Sequence, residues 1–233
     1  MLPLRDNVPT RRFPVVTVAL IVANVLVFVL YQRAGEGPGF LSSVNDLAFR
    51  PCEVDDSCET AGEGPLVTLF TSMFLHGTWL HLLGNMLFLW IFGNNVEDTL
   101  GRPRYIAFYV LGGVFAMATQ SAVTLGFGDP ADGAIPNLGA SGAIAAVLGA
   151  YIVLFPGGRV FTWVIPFFFF ELPALLFLGI WFLLQLFLGS QSVVAPEQGG
   201  GVAFFAHVGG FVFGLLAIRI FSAGRPRPVR PAY

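Results

Sequence analysis

What most constrains this chain is a series of long runs with almost no charge, at residues 14–31, 66–96, 105–125, 139–155, 172–188 and 202–221. A helix of about 20 apolar residues crosses the hydrocarbon of a bilayer while satisfying its own backbone hydrogen bonds. Six such runs predict an all-α polytopic membrane protein built as a six-transmembrane-helix bundle. Composition agrees, since 55% of the 233 residues are hydrophobic and 11% are charged. Six spans would occupy about 120 positions, leaving short loops and tails and no separate soluble domain. The second run exceeds what a span needs, so residues 66–74 are expected at the interface. The aromatic run at 161–170 reads as an interfacial segment, with helix five beginning at Glu171, Leu172 and Pro173, where an acid and a proline suit a first turn.

Orientation follows from the basic residues, all of which are arginine. With the N-terminus in the cytoplasm, Arg5, Arg11, Arg12, Arg102, Arg104, Arg159, Arg219, Arg225, Arg227 and Arg230 share one side, and Arg33 and Arg50 lie on the other. That satisfies the positive-inside rule. The net charge of −2 gives no basic field for nucleic acid, and no such partner is expected. Arg11 and Arg12 before an apolar run are compatible with an export signal, but the run is long and no A-x-A pattern follows closely, so a retained helix is expected. The organisation reads as a short cytoplasmic tail at 1–13, a bundle at 14–222 and a cytoplasmic Arg/Pro tail at 223–233, whose evident role is attraction to anionic lipid. The acidic first outer loop, 32–65, carries Cys52 and Cys58. A disulfide, two free thiols and an acidic cation site all remain open there.

Ionisable residues within spans are costly and mark candidate sites. All three histidines, His76, His81 and His207, lie in or beside apolar runs, in the outer halves of helices two and six. Helix four opens at similar depth with Gly139, Ala140, Ser141 and Gly142, and is short for a full span, so its start is expected in a protein-lined dip reached by water. Serine needs a base within about 2.6–3.2 Å to become a nucleophile, and His207 is the candidate. Bringing two helices that close takes small residues on facing stripes. From Ser141 the stripe runs through Ala145 and Gly149, and from His207 through Gly210 and Gly214. The free first-turn amides of helix four, with the side chains of His81 and Asn85 at i, i+4 on helix two, would supply an oxyanion hole. Each residue also has a structural reading: a serine bonded to its own helix, an asparagine in interhelical packing, a core histidine. Together at one depth they favour catalysis. The G-x-S-x-G and H-E-x-x-H patterns are absent, and the five-residue step from His76 to His81 does not put two zinc ligands on one face. A three-histidine metal site remains open on spacing but would leave Ser141 without a role. No metal or cofactor is called for.

The segments HGTWLHLLGN (76–85), GASGA (139–143) and AHVGGFVFG (206–214) resemble the rhomboid intramembrane serine proteases, over nearly the whole chain from TRRFPVV (10–16) onward. The compact form is most similar to bacterial-type members, which implies a multi-pass protein of the bacterial inner membrane with its site opening to the outer face. The resemblance implies Ser141 as nucleophile, His207 as general base, and His81, Asn85 and the Ser141 amide as oxyanion hole. It also implies structural support from His76, close packing by Gly210 and Gly214, and a structural role for Glu97 with Arg102 and Arg104. Its implied substrates are transmembrane segments of other proteins. Two departures stand out: Ala145 occupies the position where some members have a tyrosine on the base, and the Trp-Arg pair of the first outer loop is missing. Residues 189–202 are a candidate lid. The rival readings are a catalytically silent relative that binds or escorts membrane helices, and a transporter, for which no repeat or charged path is visible.

Overall fold

Each apolar run is helical over most of its length in the structure, a computed structural model that describes residues 1–58, 62–164, 166, 168–194 (side chains to 191) and 203–225. The first run gives α1 (Val15–Leu26), continued by a π-helical turn to Tyr31. The first loop contains α2 (Gly37–Leu47). The second run breaks into α3 (Pro65–Thr71), α4 (Trp79–Phe88), a π-helical turn at Leu89–Gly93, and α5 (Asn94–Leu100). Then follow α6 (Arg102–Phe127), α7 (Ser141–Leu154), α8 (Ala174–Val194) and α9 (Phe204–Phe221). Among the described residues α6, α8 and α9 are long and apolar enough to cross a membrane, as is the second run if counted as one bent span. The α1 segment and α7 are apolar but shorter.

The bend explains why the second run is too long. Residues Pro65–Phe74 and Trp79–Leu100 meet at 83°. Thr78 takes an extended conformation and its Oγ1 accepts from the His81 amide at 3.1 Å, starting a new helix and using one of its orphan donors.

Three strands modify the all-helical expectation. β1 (Leu2–Asp6), β2 (Arg159–Val164) and β3 (Phe168–Pro173) form an antiparallel sheet in that order, with Asp6 opposite Val160 and Val164 opposite Phe168. Residues 2–6, read from the sequence as part of a tail, are therefore paired backbone. Helix five starts at Ala174, not at Glu171, because residues 168–173 belong to β3. Aromatic side chains favour that pleated surface, and Pro173 suits its end.

The core is centred on α7, whose residues from Gly142 to Tyr151 are all buried. Lipid tails are as apolar as leucine, so helices associate through close packing of small residues. A Cβ on Gly210 would collide with the Gly142 carbonyl, one on Gly214 with that of Ala146, and one on Gly149 with that of Phe211. These contacts press α9 onto α7 with backbones touching. The first loop folds onto the segment entering α7: Phe49 and Asn137 exchange backbone hydrogen bonds at 3.2 and 2.7 Å. Cys52 and Cys58 are disulfide-bonded, with Cα atoms 5.5 Å apart. Buried Glu53 accepts from Thr68 Oγ1 at 2.6 Å and pairs with Arg50 at 3.7 Å, so it serves the loop's own structure.

Candidate active site

Ser141 is the first residue of α7, and its entry is fixed from the first loop's side. The Gly139 amide donates to the Ser72 carbonyl at 2.9 Å. Gly139 has φ +123, a region costly for other residues, and a Cβ there would sit 2.7 Å from His81 Nε2. The glycine thus lets the chain pass directly against His81 before turning into the helix.

The histidine facing Ser141 comes from α9. His207 Nε2 lies 2.7 Å from Ser141 Oγ, across 66 residues of sequence. On the other side of the ring, His207 Nδ1 lies 2.7 Å from Gln185 Oε1 on α8. The indole of Trp181, one turn before Gln185, lies 5.8 Å from the imidazole, centroid to centroid. The Ala206 amide donates to Gln120 Oε1 at 3.1 Å, tying the start of α9 to α6.

Helix α4 supplies the third wall. Asn85 Nδ2 lies 2.9 Å from His76 Nε2, so His76 occupies one of the two amide protons of Asn85 and fixes its plane. His76 is in turn held through its backbone: its amide donates to Gln32 Oε1 at 2.8 Å, and its carbonyl accepts from Gln32 Nε2 at 3.1 Å. The His76 and His81 rings meet edge to face at 5.0 Å. His81 Nδ1 faces the Gly77 amide at 3.5 Å, which leaves Nε2 carrying the proton on the Gly139 side.

Ser141, His207, His81 and Asn85 line one cavity of about 240 Å³, shared with Phe88, Ile144, Leu148, Trp181 and Gln185. Such a site can move a proton from a hydroxyl to an imidazole while side-chain and helix N-terminal donors face the same space. His76 lies behind Asn85, and Gly210 and Gly214 act through the α7–α9 contact. Among the described residues no three His, Cys, Asp or Glu side chains gather in positions to hold a metal ion.

Three contributors escaped the sequence reading, and a fourth, Gly139, was read only as part of the opening of helix four. Gln185 and Trp181 occupy the role left open by Ala145, Gln32 holds His76, and Gly139 shapes the entry to α7. Gln185 was detectable in principle as a polar residue inside the fifth apolar run. Of the lid segment 189–202, residues 195–202 lie outside the described residues, as do residues 226–233 of the Arg/Pro tail.

The fold and site together define a helical membrane protein with a serine–histidine pair at a cavity between its helices. A Rhomboid domain model matches residues 63–224, and the chain belongs to the rhomboid family. It is 30% identical over 154 residues to Rhomboid protein 1, mitochondrial, of Saccharomyces cerevisiae, covering 64% of this chain and 40% of that protein. It is 28% identical over 205 residues to the human Presenilin-associated rhomboid-like protein, mitochondrial, covering 84% and 45%. With RHOMBOID-like protein 12, mitochondrial, of Arabidopsis thaliana, the match is 28% over 222 residues, covering 91% and 60%. The chain thus spans less than two thirds of the length of each of these relatives. All three carry mitochondrial names, so the bacterial-type expectation gains nothing from them.

Proposed function

We propose that this protein is an intramembrane serine endopeptidase that cleaves transmembrane segments of other membrane proteins near the outer face. The proteolytic unit is residues 14–222, oriented with its arginine-rich face, and both termini, toward the cytoplasm. The observation that carries this reading is the 2.7 Å contact of Ser141 Oγ with His207 Nε2 at a cavity shared with His81 and Asn85.

In the first half-reaction Ser141 Oγ attacks the scissile carbonyl carbon while its proton passes to His207 Nε2. Charge develops on the carbonyl oxygen, where the Ser141 amide and the side chains of His81 and Asn85 are the available donors. The intermediate collapses as the C–N bond breaks, and Nε2 returns the proton to the departing amine. Water then attacks the acyl-enzyme, giving its proton to Nε2, and the second intermediate collapses as the bond from Ser141 Oγ to carbon breaks and Nε2 returns the proton to Oγ, releasing the acid product. Among the described residues His207 Nδ1 faces the Gln185 amide and not a carboxylate, so the chemistry rests on a dyad. A substrate helix hides its carbonyls in its own hydrogen bonds, so it must unwind locally before attack.

The test is labelling of the detergent-solubilised protein with a fluorophosphonate serine probe, read by intact mass. Wild type gains one adduct, and Ser141→Ala and His207→Ala do not. Correctly folded wild type that stays unlabelled overturns the protease reading in favour of a family member that binds or escorts membrane helices.

A further inference from the structure

We propose that Gln185 is the positioning residue of this site, setting the tautomer and plane of His207 and making the base competent only while α8 is docked. The proposal rests on the dyad reading above and assigns a part that neither the dyad nor the oxyanion donors supply. For His207 to take the Ser141 proton, Nε2 must be unprotonated, so the ring's own proton must sit on Nδ1. A neutral imidazole places it there when something accepts from Nδ1. In this structure that acceptor is Gln185 Oε1, at 2.7 Å.

The residue is built for that task. Gln185 is buried, and its carbonyl is an acceptor without the desolvation cost of a carboxylate. Phe177, Trp181 and Gln185 form one stripe at i, i+4, i+8 of α8. Phe177 packs on Phe88 and Phe92, at 6.4 Å from each. Trp181 packs on Phe211 at 6.1 Å and on the His207 ring at 5.8 Å. The aromatic pair seats the helix and delivers the amide to the imidazole. The opposite side of α8, with Leu175, Leu176, Leu183, Leu184 and Phe187, is exposed, while buried Leu178, together with Phe182, which stacks on Phe211 at 4.6 Å, joins this stripe in seating the helix. The acceptor therefore sits on neither dyad helix.

The experiment uses the full chain with Gln185→Met, which keeps length and volume but accepts poorly, and Gln185→Glu, which keeps an oxygen at the same reach. Two measurements are made: fluorophosphonate inactivation, resolved into its limiting rate and half-saturating concentration, and ¹⁵N spectra of histidine-labelled protein. The limiting rate of Gln185→Met falls about 10–100-fold, part of what general-base catalysis supplies, with half-saturation little changed. Gln185→Glu recovers to within about tenfold of wild type, since the carboxylate accepts the same proton. The ¹⁵N spectrum of wild type reports the Nδ1-protonated tautomer at His207, and Gln185→Met reports a mixture. Wild-type rate and tautomer in Gln185→Met overturn the proposal. So does a loss in Gln185→Met that tracks its thermal stability and is not recovered by glutamate. If wild type itself is unreactive, the dyad reading fails, whereas the tautomer spectra still decide the role of Gln185.

Discussion

The two ends of α7 carry partly or fully buried polar groups of opposite character. At one end Ser141, His207, His81 and Asn85 face a common cavity, with hydrogen-bonding capacity left open to it. At the other end most polar groups bond one another, with Asn95 Oδ1 left without a partner. Tyr151 donates to Asp6 Oδ2 at 2.6 Å, and Asn95 donates to the same oxygen. Nearby, Glu97 accepts from the Val16 amide at 2.9 Å and from the Thr17 amide and hydroxyl, each at 2.8 Å, closing the first turn of α1. Burial of polar groups is thus not itself a sign of chemistry. The sign is burial with valence held open toward space a substrate can enter.

The comparison breaks most directly at Ser141. Ser141→Ala is expected to lower fluorophosphonate labelling and turnover by more than about 10³-fold with an unchanged thermal midpoint. Stability falling with activity would make the serine structural, like the groups at the far end. His81→Phe keeps a ring against His76 and removes the Nε2 donor. It is expected to lower turnover by about 10²-fold at similar half-saturation, measured with a transmembrane-segment substrate in detergent.

The other end should respond in stability. Glu97→Leu strands three donors and is expected to cost about 3–5 kcal/mol of unfolding free energy. The labelling rate of the folded fraction should stay at the wild-type value, and a selective loss of rate would erase the distinction between the ends. Asp6 gives a smaller, pH-dependent effect. Burial pushes its carboxyl up to about 6, against the partly compensating bonds from Tyr151 and Asn95. Between about pH 4 and 6 the folded state holds a proton that the unfolded state has released, so stability falls as pH rises through that window and is flat above it. The full change is about 2–3 kcal/mol. Asp6→Asn should remove this slope in denaturation measured from pH 4 to 7, and a slope that persists assigns it to other groups.

Much of this was legible in the chain. A membrane cannot be crossed without long apolar runs, so the helices declared themselves, and the cost of polar residues within them singled out Ser141, His207, His81 and Asn85. The same reasoning passed over Gln185, because Asn85 entered through its i, i+4 spacing from His81, whereas Gln185 has no such ionisable neighbour on its own helix to draw attention to it. It also missed the sheet. β1 pairs with a strand more than 150 residues away in sequence, and neither partner alternates polar and apolar residues in a way that betrays a strand. The bend at residues 75–78 was foreshadowed by the excess length of the second run, but its angle depends on how α3 packs beside the first loop.

The sequence by itself determined the solvent this protein folds in, the helical character of its runs and the short set of residues able to do chemistry, because each is a local consequence of composition and spacing. Only the tertiary structure decided which nitrogen of His207 faces Ser141, which side chain holds the other, and which amide proton of Asn85 is already taken. Those choices are made over less than 3 Å between elements 9 to 66 residues apart in the chain. Packing sets such distances, here chiefly the meeting of Gly210 and Gly214 with the backbone of α7, and no local pattern encodes them.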